Sequence, residues 1–233
     1  MKSLRDQTTD LLKQIPIDFG GGCSASKAYV MAYLIRRFGV KTSLDIGVYR
    51  GRSLMPQALA HKLFTGGTAY GVDPWSTEQA KENDNVKLKE KIDQFLVETD
   101  FEAIYQSVDG MRKAQGFENH CQLVRKTSVE AATFFGGKNI KFGLIHIDGN
   151  HDTAPVLKDV ELYLPLLMPD GFIVMDDVSW ESVKPACDQV ADRLTRVFQR
   201  VDAMNDYAVF WNTTSPMKCA WLKLLLGFAG KGD

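Results

Sequence analysis

The chain has 233 residues, of which 28 are basic and 29 acidic, so its formal net charge is -1. This length suits one α/β domain, and the near-neutral charge argues against a basic surface for nucleic acid. No apolar run approaches the roughly 18 residues of a membrane span, and the four cysteines lack the CxxC spacing of a zinc site. We therefore expect a cytoplasmic protein that binds a small molecule.

Helical and strand-like segments alternate from about residue 25 to residue 197, which is typical of a parallel sheet wrapped by helices. A first helix, SKAYVMAYLIRRFG, ends at Gly39. The expected strands then cover residues 42–46, 69–72, 122–124, 142–147 and 172–175. After a helix near 182–195, two β-rich segments separated by Met204, Asn205 and Asp206 predict an antiparallel hairpin at the sheet edge.

The connection between the second and third strands is long, covering residues 75–120. It contains the helical run VKLKEKIDQFLVE, and Ser76 and Gln79 have the spacing of a capping box, which predicts a helix start. Long connections in compact domains tend to be lids or binding elements. We expect 75–120 to form a helical cap over the substrate side of the sheet.

Two apolar runs in the second half end in carboxylates: LIHID closes at Asp148, and GFIVMDD closes at Asp176 and Asp177. Such runs predict buried parallel strands, whose carboxyl ends form the ligand-binding edge of an open α/β sheet. Asp148 and Asp176 at one edge would repel each other without a cation or a proton between them. The pattern indicates either a hard metal ion or an acid/base group beside a substrate.

The first strand leads into LDIGVYRGRS, where Asp45, Gly47 and Gly51 precede a helix that begins near Ser53. Glycines at such a turn let a ligand approach the amides at the helix N-terminus. The spacing differs from the dinucleotide pattern GxGxxG, because three residues separate the two glycines. Asp45 would repel a pyrophosphate, so the turn favours a cationic or amine-bearing ligand.

Asp73 ends the second strand, AYGVD, where a carboxylate can accept hydrogen bonds from both hydroxyls of a ribose. The alternative is a turn residue before Pro74. After the third strand, Thr127 and Glu130 have capping-box spacing, and Ser128 is a candidate contact for an adenine edge. Plain helix capping explains the same residues without a ligand.

The segments LDIGVYRGRS, YGVD, IHIDGNHD and VMDDVSW together resemble class I S-adenosylmethionine-dependent methyltransferases. The resemblance is to the small-molecule O-methyltransferase branch that includes macrolide sugar methyltransferases and cephalosporin hydroxylase-like proteins. It covers about residues 40–212. It implies an α/β, Rossmann-like methyltransferase fold: a mostly parallel seven-stranded sheet with a C-terminal antiparallel hairpin and helices on both faces.

We expect a single methyltransferase domain over residues 1–233. N-terminal helices would occupy 1–39, the cofactor-binding core 40–212, and a tail helix 213–233. The apolar side chains of the tail favour packing on the domain itself or on a second subunit, so a homo-oligomer is plausible.

The resemblance also implies roles for individual residues. Gly47 and Gly51 would cradle the methionine portion of S-adenosyl-L-methionine, with Asp45 by its amino group and Asp73 on the ribose. The full expected cofactor-binding set is Asp45, Gly47, Tyr49, Gly51, Ser53, Asp73, Ser128 and Asp148.

In metal-dependent members of the branch, carboxylates at the positions of Asp148, Asp176 and Asp177 surround a divalent ion, usually Mg²⁺, that binds the acceptor oxygens. His151 lies three residues after Asp148 and is a candidate general base, so these two residues form the expected catalytic set. The alternative for His151 is a loop histidine that bonds a neighbouring carboxylate.

The leading hypothesis is metal-assisted O-methylation of a hydroxyl on a sugar or polyol-like small molecule. An NAD-dependent oxidoreductase would also use Asp73, but Asp45 and the glycine spacing disfavour it. A third hypothesis is a non-catalytic cofactor-binding or assembly protein of the same fold, against which the intact carboxylates argue.

Overall fold

The computed structural model describes residues 2–19, 22–84, 86–202 and 205–229. Its strands are β1 (Thr42–Ile46), β2 (Thr68–Val72), β3 (Cys121–Val124), β4 (Phe142–Ile147), β5 (Leu167–Asp176), β6 (Thr195–Asp202) and β7 (Asn205–Trp211). Its α-helices are α1 (Leu4–Leu12), α2 (Ala25–Phe38), α3 (Leu54–Ala60), α4 (Lys89–Glu98), α5 (Phe101–Ala114), α6 (Ser128–Gly137), α7 (Thr153–Tyr163), α8 (Lys184–Ala191) and α9 (Pro216–Ala229). A π-helical turn, His61–Thr65, extends α3.

The seven strands form one sheet in the order β3-β2-β1-β4-β5-β7-β6. The five strands from β3 to β5 in this order are parallel, and β7 runs antiparallel to both of its neighbours. The α/β fold class with its closing hairpin is therefore confirmed. Asn205 and Asp206, which were expected between the two strands, belong to β7; Met204 lies outside the described residues.

The expected bounds of β1 and β4 match the structure, but β5 begins five residues earlier than expected, at Leu167. Its first half reads MPDG, which is typical of a turn. Leu167 nevertheless pairs with Phe142, and a register irregularity between Phe142 and Leu144 absorbs the atypical residues.

Two apolar clusters cover the faces of the sheet. On one face α2 and α3 contribute fully buried residues such as Met31 and Leu54, and on the other α6 and α7 contribute Phe135 and Tyr163. Because both faces are covered, the parallel strands are mostly apolar, and the polar side chains within them, such as Ser43, Asp45 and His146, are completely buried.

The long connection holds two helices, α4 and α5, but the expected helix start at Ser76 is wrong. The carbonyl of Ser76 accepts hydrogen bonds from the amides of Gln79 and Ala80, which closes a turn that does not continue. The first helix of the connection begins at Lys89. Ser76 and Gln79 therefore form only a turn, because no apolar helical repeat follows them.

The tail helix α9 packs on α2 and β6, with Leu222 and Leu226 buried and Leu224 exposed. Throughout the described ranges, every helix is too short or too polar to cross a membrane.

The turn after β1 brings two backbones close together. Gly47 has φ +84°, and a Cβ at this position would lie 1.8 Å from the carbonyl oxygen of Asp148. We expect Gly47→Ala to lower the free energy of unfolding by about 3 kcal/mol or more, since backbone has to move. Urea denaturation measures this change.

Gly136→Ala is the matched control, because a Cβ there has no neighbour within 4 Å in α6. It should stabilise the protein by up to about 1 kcal/mol. Equal effects of the two substitutions would contradict the close approach at Gly47.

Candidate active site

A cavity of about 800 Å³ opens at the carboxyl edge of the sheet. Its volume falls in the range of small-molecule sites. The sequence-predicted residues that line it are Gly47, Tyr49, Ser53, Asp73, Ser128, Asp148, His151, Asp176 and Asp177. The strand order therefore brings the ends of β1, β2, β4 and β5 to one site.

Asp73 is fixed at the end of β2 by two backbone amides. Its carboxylate accepts hydrogen bonds from the amide of Tyr49 at 2.9 Å and from that of Trp75 at 2.6 Å. Burial raises the pKa of Asp73 above its ordinary value, against the effect of these two bonds. Each carboxylate oxygen has a second lone pair, so Asp73 can still accept hydrogen bonds from the hydroxyls of a ligand.

Tyr49 has a positive φ of 46°, which turns the chain between the two glycines. Its hydroxyl donates a hydrogen bond to Asp18 at 3.0 Å. This side chain therefore joins the N-terminal segment to the wall of the cavity.

Two residues of the expected cofactor set lie away from the cavity wall. Asp45 is completely buried, accepts a hydrogen bond from Ser53 Oγ at 2.7 Å and lies 2.5 Å from His146 Nδ1. Because Asp45 is completely buried and does not line the cavity, its expected contact with an amino group stays a prediction. At Gly51 a Cβ would face Met55 and Val108, so this glycine supports the packing of α5.

Ser128 begins α6, and Thr127 and Glu130 form the reciprocal capping box expected from their spacing. Beside Ser128 the cavity also contacts Asp159 of α7, a residue only 4% exposed. Burial raises the pKa of Asp159 to about 6. The expected contact of Ser128 with adenine stays a prediction.

Lys27, in the first turn of α2, lies between two of the predicted acids. Its ammonium group forms an ion pair with Asp176 and lies 3.5 Å from Asp148 Oδ2. The lysine side chain is 4% exposed. Burial favours the neutral amine, but the two carboxylates outweigh it and hold the pKa of Lys27 well above its ordinary value.

The imidazole of His151 lies among three carboxylates. Nδ1 is 2.6 Å from Glu82 Oε1, and Nε2 is 2.8 Å from Asp177 Oδ2 and 3.5 Å from Asp148 Oδ1. Nε2 is buried, and its closest charged neighbours are these two carboxylates. Burial opposes protonation, yet the carboxylates raise the pKa of His151 well above its ordinary value.

The two remaining acids differ in their electrostatic surroundings. Burial and the charge of Asp148 raise the pKa of Asp176. For Asp148 burial acts in the same direction, but Lys27 and His151 outweigh it, and the pKa lies below its ordinary value. Asp177 has φ 50° and begins a turn rather than a helix.

Residues 81–84 of the long connection are fastened to the loop that carries His151. The carboxylate of Asp152 accepts hydrogen bonds from the amides of Asn83, at 2.8 and 2.9 Å, and of Asp84, at 2.7 Å. In return, Asp84 accepts a hydrogen bond from the amide of Thr153 at 2.8 Å. We call residues 81–84 the strap.

Residues 44–178 match the family model described as a methyltransferase domain, which spans more than half of the chain. The chain belongs to the methyltransferase domain family. The resemblance found in the sequence is thereby confirmed. A search of curated proteins gave no match.

Solved O-methyltransferases have the same fold. The enzyme from Bacillus cereus in complex with SAH is 14% identical, with a TM-score of 0.62 over 91% of this chain and 90% of that chain. TomG from Streptomyces achromogenes, involved in tomaymycin synthesis and solved with SAM, is 15% identical, with a TM-score of 0.61 over 92% and 91%. The calicheamicin methyltransferase CalS11 is 16% identical, with a TM-score of 0.59 over 89% and 91%.

The expected magnesium ligands of this methyltransferase do not converge as three carboxylates. Two groups of donor atoms lie close enough to share an ion within the described ranges: His146 with Asp148 and Asp176, and His151 with Asp148 and Asp177. Magnesium prefers an octahedron of oxygen ligands, whereas imidazole suits other metals. Lys27 also takes the space between Asp148 and Asp176. The arrangement therefore does not fit magnesium.

Sequence reasoning missed two residues of the site, Lys27 and Glu82. Lys27 shares a helix face with Met31 and Leu34, which are completely buried, so a charge on an apolar face was an available signal. Glu82 lies in the charged run KENDN, where nothing distinguishes it from a solvent-exposed acid.

The raised pKa of Asp159 predicts a pH-dependent cost in stability. A pKa raised from 3.8 to about 6 in the folded state favours folding at low pH, and this contribution is lost as pH rises through about 6. We expect Asp159→Asn to gain up to about 3 kcal/mol relative to the native protein at about pH 8, and far less at about pH 4. Urea denaturation at both pH values measures the difference.

Glu161→Gln is the control on the same helix, because Glu161 forms a surface ion pair with Lys158. It should change stability by less than about 1 kcal/mol at either pH. A gain for Asp159→Asn that is equal at both pH values would exclude ionisation as its cause.

Proposed function

We propose that this methyltransferase transfers a methyl group from S-adenosyl-L-methionine to a hydroxyl of a sugar or other polyol-like small molecule. The observation that carries the proposal is that His151, whose Nε2 lies 2.8 Å from Asp177 Oδ2, lines the same cavity as Gly47 and Asp73. A site for a nucleoside-bearing donor and a potential proton acceptor therefore share one space.

The cofactor side of the cavity lies at the ends of β1 and β2. Gly47 lines the cavity where the methionine portion would lie, and Asp73 offers its free lone pairs to the ribose hydroxyls. When bound, S-adenosyl-L-methionine supplies an electrophilic methyl group on a positively charged sulfur. The negative charge of Asp73 also disfavours a ligand with phosphate in this position.

The acceptor side lies at the ends of β4 and β5, where Trp180 lies 5.0 Å from the His151 ring, centroid to centroid. An aromatic face beside carboxylates suits a sugar, whose C–H face packs on the ring while its hydroxyls donate to oxygen. His151 Nε2 would accept the hydroxyl proton as the acceptor oxygen takes the methyl group, and a bound S-adenosyl-L-methionine would supply that methyl group and retain the electron pair on sulfur.

Glu82 holds His151 for this step. The carboxylate is 2.6 Å from Nδ1 and accepts a second hydrogen bond from the His151 amide at 3.0 Å. Its charge stabilises the imidazolium that forms when Nε2 takes a proton. Because the carboxylates raise the pKa of His151, the neutral ring is a stronger base than free imidazole, and the fraction of neutral ring that can accept a proton increases as pH rises.

The cap over 75–120, the division of the chain into 1–39, 40–212 and 213–233, and the cytoplasmic location all stay predictions. Ser76, Gln79 and Leu88 from the long connection line the cavity, which supports a covering role for that segment. The exposed Leu224 and Met217 of α9 are consistent with a second subunit, which size-exclusion chromatography would detect.

Asp73→Asn tests the cofactor side. We expect S-adenosylhomocysteine to bind the native protein and to bind the variant roughly tenfold to a hundredfold more weakly, since an ionised acceptor is lost. Isothermal titration measures both affinities, and NAD should give no heat with either protein.

Asp170→Asn is the matched control, because Asp170 is an exposed carboxylate with a positive φ of 56°, which asparagine tolerates. It should bind the ligand with native affinity. Binding of NAD without binding of S-adenosylhomocysteine would instead favour the oxidoreductase.

His151→Gln tests the acceptor side. Using labelled S-adenosyl-L-methionine and a panel of sugar and polyol acceptors, we expect kcat to fall by about a hundredfold to ten-thousandfold. Affinity for S-adenosylhomocysteine should stay unchanged, because His151 serves the acceptor.

His120→Gln provides the comparison, since His120 bonds the carbonyl of Gly67 near the amino end of the sheet. It should retain native kcat. An unaltered rate in His151→Gln would remove this histidine from the proton transfer, and native protein that methylates no acceptor would support the non-catalytic hypothesis.

A further inference from the structure

Lys27 is placed where an α-helix alone would not favour it. It lies in the first turn of α2, whose N-cap is Ser24, and the positive end of the helix dipole disfavours a cation in that turn. The side chain is also nearly completely buried. Loss of hydration and the helix dipole therefore both disfavour the charged form of Lys27. A specific partner in the protein, and not solvent, offsets both effects.

The partners are the carboxylates of Asp176 and Asp148, which lie at the ends of adjacent strands. Without the ammonium group these two acids would face each other in the protein interior. Its single positive charge offsets part of their repulsion, and its contact with Asp176 fixes the end of β5 relative to α2.

The start of α2 is itself anchored, which makes the position of Lys27 reproducible. Ser24 Oγ donates a hydrogen bond to Asn205 Oδ1 at 2.5 Å, which ties the N-cap to the first residue of β7. The ammonium group is therefore held by the fold and does not depend on a mobile surface side chain.

A divalent ion between Asp148 and Asp176 would have to displace this ammonium group or lie beside it. Displacement leaves a buried lysine without its carboxylate contacts, and coexistence places three positive charges against two negative ones. Both arrangements are costly for charges that are largely buried.

We propose that Lys27 is a positioning residue that holds Asp148 and Asp176 at the acceptor side and occupies the place of a divalent metal ion between them. Its importance for methyl transfer rests on the proposed function, whereas its exclusion of metal does not. The chain thus builds its own cation into the carboxylate site.

The experiment is a Mn²⁺ titration of the full-length protein, followed by the electron paramagnetic resonance signal of free Mn²⁺, with and without S-adenosylhomocysteine. We expect the native protein to bind Mn²⁺ no more tightly than about 1 mM, as isolated carboxylates do. Lys27→Met, which keeps the length of the side chain but not its charge, should gain a Mn²⁺ site at least about tenfold tighter.

Two control variants test whether the effect depends on a positive charge at position 27, and not on the loss of any lysine near the cavity. Lys27→Arg keeps a cation on α2 and should gain no site. Lys158→Met removes a lysine that also lines the cavity but that pairs with Glu161 at the surface, and it should bind Mn²⁺ like the native protein.

A native protein that binds Mn²⁺ with micromolar affinity would overturn the proposal, and so would a folded Lys27→Met variant that gains no site. If Lys27→Met fails to fold, the double variant Lys27→Met/Asp176→Asn decides. Recovery of folding in the double variant supports the pairing, and failure of both variants contradicts it.

Failure of the proposed function is recognised separately. Absence of S-adenosylhomocysteine binding, measured by titration of the same native sample, would remove methyl transfer but leave the Mn²⁺ result intact. Conversely, tight Mn²⁺ binding together with S-adenosylhomocysteine binding would remove the role of Lys27 and retain the methyltransferase.

Discussion

The ammonium group of Lys27 between Asp176 and Asp148 is the interaction on which the arrangement of the site depends. Taking an ion out of water costs several kcal/mol, and only an opposite charge at close range recovers this. His151 meets the same condition through Glu82 and Asp177. The buried charges at the sheet edge therefore stabilise one another, and each side chain fixes the geometry of the next.

These charges come from elements that are far apart in the chain. Lys27 belongs to α2, Glu82 to the connection after β2, Asp148 follows β4, and Asp176 ends β5. The parallel sheet is the common frame, because it brings successive strand ends to one edge. Lys27 of α2 then supplies the charge opposite to that of Asp176, and Glu82 of the strap supplies the charge opposite to that of His151.

Features that depend on neighbouring residues were predictable from the sequence. Buried strands such as β4 follow from their apolar runs, and the turn at Gly47 follows from a glycine between a strand and a helix. Asp148 and Asp176 could be placed at one edge because parallel strand ends share it. The sequence indicated that these two acids need a cation or a proton between them. It did not indicate that Lys27 supplies the cation.

The ion pair of Lys27 and Asp176 joins residues 149 apart, and that of Glu82 and His151 joins residues 69 apart. No local pattern encodes such pairs, since they depend on how α2 and the strap pack over the sheet. Asp45 shows a related limit. It lies beside His146 in the β1–β4 register and on the same face of the sheet, so its partner follows from strand pairing and not from the glycine motif.

The strap has two roles in the structure: it holds the His151 ring, and it attaches to the loop that carries His151. Glu82 orients His151, while its neighbours Asn83 and Asp84 close onto the loop at Asp152 and Thr153. Lifting this segment to exchange ligands would withdraw the carboxylate from the imidazole in the same movement. The orientation of the His151 ring and the attachment of the strap are therefore parts of one structural event.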